Sequence, residues 1–185
     1  MRIIGGELKG RTLPPPPGDA TRPTTDVLKE SLFAALEHIV TLSGAHIVDL
    51  CAGSGGLAFE ALSRGARSAL LVDTSTEVCR HLRSVAISLG LTDRVTIVRA
   101  DAVSVARTFD LGGATIVFAD PPYGAYIGNA LLSAVVSNPH LAPEATIIVE
   151  HGDREALVLP DNGTRIWHKE RGETVIDVVR YERPT

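Results

Sequence analysis

The chain has 185 residues, of which 44% are hydrophobic, 22% charged and only 4% aromatic, and its formal net charge is -4. This length suits one domain that buries about 70% of its unfolded surface, and the scarcity of rings excludes a wide stacking platform for nucleic acid. No apolar run reaches the roughly 18 residues of a membrane span and MRIIGGELKGR lacks the apolar stretch of a signal peptide, so a cytoplasmic protein without a membrane is expected.

The first dozen residues, with short apolar segments around Gly5-Gly6 and Gly10, read as a small β-hairpin. The run PPPPGD at 14–19 follows as a stiff linker, making 1–20 an appendage to a domain at 21–185. Residues 1–24 carry Arg2, Lys9, Arg11 and Arg22 against Glu7 and Asp19, a net of +2, whereas the remainder carries -6. An anionic partner would therefore dock at the N-terminal end, against the overall charge. From Asp26 a four-residue recurrence of Leu28, Leu32, Leu36 and Val40 predicts an amphipathic helix over 26–42.

Strands are then expected at 46–50, 68–72, 95–99, 115–119 and 145–150, alternating with helices at 55–64, 75–89, 102–109 and 127–136. Such alternation implies a mainly parallel sheet covered on both faces, a doubly wound α/β domain. The β-prone runs 164–169 and 174–181, separated by ERGE, predict a closing antiparallel hairpin. Cys51 and Cys79 have no metal-ligand spacing and read as packing thiols. The six histidines are scattered, so no catalytic metal is expected.

Chemistry concentrates where strands end. VDLCAGSGGLAFEAL runs from a strand through a glycine-rich turn into a helix, so Gly53 and Gly55 let the backbone approach a ligand beside unpaired helix amides. On its own this is equally a tight strand-to-helix turn. The next strand ends at Asp73, twenty residues beyond Gly53, where a carboxylate can accept from both hydroxyls of a ribose. A third ends in RADA, which places Asp101 to meet an adenine amino group and the Ala102 amide its ring nitrogen. Gly53, Gly55 and Ala58 also fit the dinucleotide fingerprint, so an NAD-dependent oxidoreductase stays open; against it stand the short chain, with little room for a substrate domain, and the turn after the fourth strand.

That turn is FADPPYGAY. Pro121 holds Asp120 extended, Pro122 restricts Pro121, and the pair leaves few amide donors. What remains are acceptors, the Asp120 carboxylate and the Pro121 carbonyl, with the Tyr123 ring beside them. Two fixed acceptors and a ring suit an exocyclic amine on a planar base: they orient its N–H bonds and stabilise the positive charge that develops as the nitrogen takes a methyl group.

DLCAGSG, LLVD, RADA and DPPY in this order resemble the amino methyltransferases that use S-adenosylmethionine, and RIIGGELKGRTL followed by RPTTDVLKESLF is similar to the bacterial RsmD family. The resemblance spans nearly the whole chain. It implies a Rossmann-like class I methyltransferase with a seven-stranded sheet, acting on the 2-amino group of one guanine, position 966, of 16S rRNA in the small ribosomal subunit or its assembly intermediate. It implies a cofactor site of Asp49, Cys51, Ala52, Gly53, Ser54, Gly55, Asp73, Asp101, Ala102 and Asp120. Catalysis would fall to Asp120, Pro121, Pro122 and Tyr123, and RNA contact to Arg2, Lys9, Arg11, Arg22, Thr24 and Tyr123, in a monomer whose target base is swung out of its stack. Val27 and Lys29 stand where the family pattern leads one to expect arginine. The competing readings are a DNA adenine or cytosine methyltransferase, which also uses DPPY but needs an added recognition region, a protein-glutamine methyltransferase, where Asn replaces Asp120, and a silent RNA-binding module.

Overall fold

The computed structural model describes residues 1–16, 26–121 and 127–184. Helix and strand alternate from α1 (Asp26–Ile39) through β1 (His46–Asp49), α2 (Gly56–Ser63), β2 (Ser68–Asp73), α3 (Thr76–Leu89), β3 (Val95–Arg99), α4 (Ala102–Thr108), β4 (Ala114–Ala119) and α5 (Gly128–Val136) to β5 (Leu141–Gly152), β6 (Gly163–Arg171) and β7 (Thr174–Glu182). The strands lie in the order β3-β2-β1-β4-β5-β7-β6. β1 to β5 are parallel, and β7 enters antiparallel between β5 and β6. This is the Rossmann-like α/β architecture expected, with its closing hairpin.

Alternating strand residues feed two cores. Ile47, Leu71, Ile116, Phe118 and Ile148 pack against α1, α2 and α3 on one face, where the Phe33 and Phe118 rings lie 6.0 Å apart. Val48, Val72, Val117 and Val149 meet α4 and α5 on the other. Local chemistry sets the helix ends: the Ser75 hydroxyl accepts from Val78 N to start α3, and Gly90 at φ 70° closes it. No described helix is long and apolar enough to cross a membrane.

Two elements depart from their expected bounds by three residues or more. α1 stops at Ile39, three residues early, because the chain must turn into β1: Ala45 N donates to Leu42 O and Gly44 adopts φ 77°. β5 runs well beyond 145–150, because β7 pairs with it without interruption from Glu144 to Gly152. Two of the scattered histidines are structural. Asp177 of β7, 1% exposed, is bonded to His151 of β5 and to His168 and Arg165 of β6, tying the last three strands together.

The N-terminal segment folds back on itself through an Arg2–Thr12 bridge, with Ile3 N donating to Arg11 O and Leu13 N to Met1 O. Ile3 and Leu13 are fully buried in the same core as Leu28, Leu32 and Phe33, so the segment is seated on the domain. Its anchor is polar. The buried Glu60 carboxylate of α2 accepts from Ile4 N (2.9 Å), Gly5 N (2.8 Å) and Arg64 Nε (2.8 Å), and lies 3.5 Å from Lys29 Nζ. Lys29 in turn donates to Arg2 O at 2.6 Å. Lys29 is therefore no surface cation awaiting a phosphate; its side chain is fully buried and holds the hairpin down.

Candidate active site

β1 and β4 lie side by side, yet the chain leaves β1 toward β2 and β3 and leaves β4 toward β5. Open α/β sheets bind ligands at such a divergence, beyond the carboxyl ends of the strands. Asp49, Asp73, Asp101 and Asp120 all stand at that edge, ending or just following β1, β2, β3 and β4.

Asp49 is 1% exposed, and among the described residues its Oδ1 has no hydrogen-bond partner. Burial pushes its carboxyl up to about 7, and the Asp120 charge adds to that rise; the Ala58 and Cys51 amides pull the other way. The half-buried Cys51 thiol next in line is raised by burial and then by the charges of Asp49, Asp120, Asp73 and Asp101. All four strand-end carboxylates thus act on one point, which makes this edge a focus of negative potential.

The glycine loop is held by the second of these acids. Gly53 N donates to Asp73 Oδ2 at 3.1 Å and Ser75 N to Asp73 Oδ1 at 2.9 Å, while Ala52 N donates to Val72 O and Gly55 N to Ala52 O. One amide per oxygen leaves the Asp73 carboxylate capacity for further donors. Gly55 has the positive φ that a glycine permits, and packing adds a second reason for a glycine there. At φ 74°, a Cβ there would stand 2.4 Å from the Phe59 ring and 2.8 Å from Leu82, so its missing side chain makes room for the protein's own core. Met1 covers the start of α2, where a Cβ on Gly56 would meet its sulfur at 2.2 Å. Asp101 is exposed and caps α4, accepting from Ser104 N at 2.8 Å; its hydrogen bonds with Ser104 hold the carboxyl below the usual range. Ala102 follows as the first, buried residue of the helix.

Asp120 is half buried and Pro121 buried at the exit of β4. Pro122, Tyr123, Arg22 and Thr24 lie outside the described residues. Arg2, Lys9 and Arg11 are exposed on the docked N-terminal segment, and Arg11 Nη2 donates to Ser88 O of α3. One acid was not singled out from the sequence: Glu150, 7% exposed near the end of β5, lines the same hollow as Asp120. The signal was there, since IIVE repeats the apolar-strand-then-acid pattern of IVD and VFAD. Among the described residues no group of three or more His, Cys, Asp or Glu is placed to hold a metal ion.

The residues present fit a cationic cofactor. An orphaned carboxylate oxygen on a sheet edge lined by acids is suited to an ammonium or sulfonium group and opposes a pyrophosphate. Asp73, at the end of the strand beside the loop, has the acceptor capacity for a ribose.

A family model described as conserved hypothetical protein 95 matches residues 1–180. The chain is 36% identical over 184 residues to the Escherichia coli (strain K12) ribosomal RNA small subunit methyltransferase D, covering 99% of this chain and 90% of that protein. It is 31% identical over 179 residues to the Haemophilus influenzae protein of the same name, covering 93% and 89%. The solved structure of Escherichia coli yhhF superposes with a TM-score of 0.85 at 33% identity, over 100% of this chain and 99% of that one. A Salinibacter ruber RNA methyltransferase solved with S-adenosyl-L-homocysteine, 14% identical, shares the fold with a TM-score of 0.64, over 88% of this chain and 94% of that one. The chain belongs to the conserved hypothetical protein 95 family, the RsmD family.

Proposed function

We propose that the protein transfers a methyl group from S-adenosylmethionine to the exocyclic 2-amino group of a guanine in small-subunit rRNA. The observation that carries this reading is the convergence of Asp49, Asp73, Asp101 and Asp120 on the glycine loop, together with the unpartnered Asp49 oxygen. The negative charge of these strand-end acids, which would repel the pyrophosphate of NAD, is complementary to a sulfonium and an ammonium. The curated family members named as small-subunit rRNA methyltransferases support the substrate class.

Asp49 and the loop residues Cys51, Ala52, Gly53, Ser54 and Gly55 would hold the methionine portion, Asp73 the ribose, and Asp101 with the Ala102 amide the adenine. Bound there, S-adenosylmethionine supplies an electrophilic methyl group. The chain's own contribution is positioning. The Asp120 carboxylate and the Pro121 carbonyl accept the two N–H bonds of the amine and fix its nitrogen in line for transfer, with Tyr123 assigned to support the ring. Asp120 stabilises the positive charge that develops on the nitrogen and is placed to take the proton afterwards. Arg2, Lys9 and Arg11, with Arg22 and Thr24, are assigned to the RNA backbone.

Purified protein incubated with methyl-labelled cofactor and small ribosomal subunits from cells lacking the gene tests this. The expected result is one methylated guanine at its 2-amino group, located by mass spectrometry of the rRNA. Label in duplex DNA and none in the subunits would establish a DNA amino methyltransferase instead.

A further inference from the structure

The register of the sheet pairs Ala119 of β4 with Val149 of β5, so the next residues, Asp120 and Glu150, are neighbours that leave the sheet on the same face. Both line one hollow, whose remaining walls include Leu32 of α1, Leu57 of α2, Ile148 and Ile176. Every one of those four apolar side chains is at most 7% exposed, as is Glu150. The two acids are therefore lateral neighbours beside apolar walls, surroundings in which a hydrogen bond is stronger than in water.

We infer that Glu150 is a specificity-determining residue that reads the N1–H of the target guanine while Asp120 receives the 2-amino group. This rests on the guanine reading above. A carboxylate accepts as many as about four hydrogen bonds, so one that has a partner within the protein can still accept from a ligand. Guanine alone among the four bases presents an amine beside a ring N–H on its pairing edge. Adenine and cytosine present an amine beside a ring nitrogen lone pair, which would face the Glu150 carboxylate and be repelled. Paired acceptors therefore suit guanine and reject the other two amino bases, with no added recognition domain. The hydrogen-bonding edge is read on an unstacked base, the usual mode for RNA.

2-Aminopurine separates the two contacts, because it keeps the 2-amino group and replaces N1–H by a lone pair. Small subunits are reconstituted with 16S rRNA carrying guanine or 2-aminopurine at the mapped target, and kcat/KM is measured for the wild-type protein and for Glu150→Gln. The wild-type protein is expected to prefer guanine by about 100-fold, because the analogue turns a ring lone pair toward the Glu150 carboxylate. Glu150→Gln can donate its amide to the lone pair; it should lose activity on guanine and gain on 2-aminopurine, narrowing the ratio to below about 10. Thermal stabilisation by S-adenosylmethionine is expected to match wild type, so a loss of fold is told apart from a loss of selectivity. Equal use of both substrates by the wild-type protein, or an unmoved ratio in a folded Glu150→Gln, overturns the inference alone. No transfer to guanine by the wild-type protein overturns the rRNA reading as well.

Discussion

Replacing Glu60 by glutamine tests how the N-terminal segment is held. The wild-type carboxylate, fully buried, accepts from Ile4 N, Gly5 N and Arg64 Nε and faces Lys29 Nζ at 3.5 Å. An amide in its place has one acceptor atom instead of two and no charge, so it cannot serve both backbone amides and leaves the Lys29 ammonium buried without its counter-ion. Breaking a buried pair in this way costs about 3–5 kcal/mol. At about 2–4 °C per kcal/mol for a chain of this size, Glu60→Gln should lower Tm by about 6–20 °C. Lys29→Met should cost less, about 2 kcal/mol, because Arg64 and two amides still compensate the Glu60 charge. Scanning calorimetry measures both, and amide exchange at Ile4 and Gly5 should accelerate in Glu60→Gln before the global transition. A Tm within about 2 °C of wild type, or a larger loss in Lys29→Met than in Glu60→Gln, would refute this account of the anchor.

Asp49 carries a pH dependence. Its folded carboxyl lies at about 7, above its ordinary 3.8, so the stability it contributes below about pH 4 is lost as pH rises through 7. The wild-type minus Asp49→Asn difference in Tm should fall over that window, and affinity for S-adenosylmethionine should rise across it in wild type and stay flat in the variant; titration calorimetry at several pH values checks this. Gly55→Ala should destabilise the fold by more than about 1 kcal/mol and weaken cofactor binding, since φ 74° and the Phe59 ring leave no place for a methyl group; unchanged melting would contradict it. Replacing Arg2, Lys9 and Arg11 by alanine should weaken rRNA binding and reduce the slope of log affinity against log salt by about 2, as expected when three phosphate contacts are removed. An unchanged slope would place the RNA elsewhere.

The alternation of apolar strands with helices and the closing hairpin were legible because each rests on local periodicity or turn chemistry. β5 was underestimated because Pro143 and Glu144 break its apolar pattern, while its true length is set by pairing with β7, remote in sequence. The docking of the N-terminal segment was hidden for the same reason. Its anchor joins Lys29 to Glu60, and both residues read as surface charges until helix packing buries them. Among the site residues, the acids at strand ends could be read as a series because the parallel topology brings successive strand ends to one edge. Glu150 was passed over because a single acid ending a strand carries no information until the register sets it beside Asp120.

Methyl transfer by Asp120→Ala, measured on small ribosomal subunits beside cofactor-induced thermal stabilisation of the same preparation, tests the central claim most directly. Loss of at least about 100-fold in kcat with the stabilisation largely retained is the predicted outcome, because the acceptor removed acts on the amine. Undiminished turnover in that folded, cofactor-binding variant would contradict it.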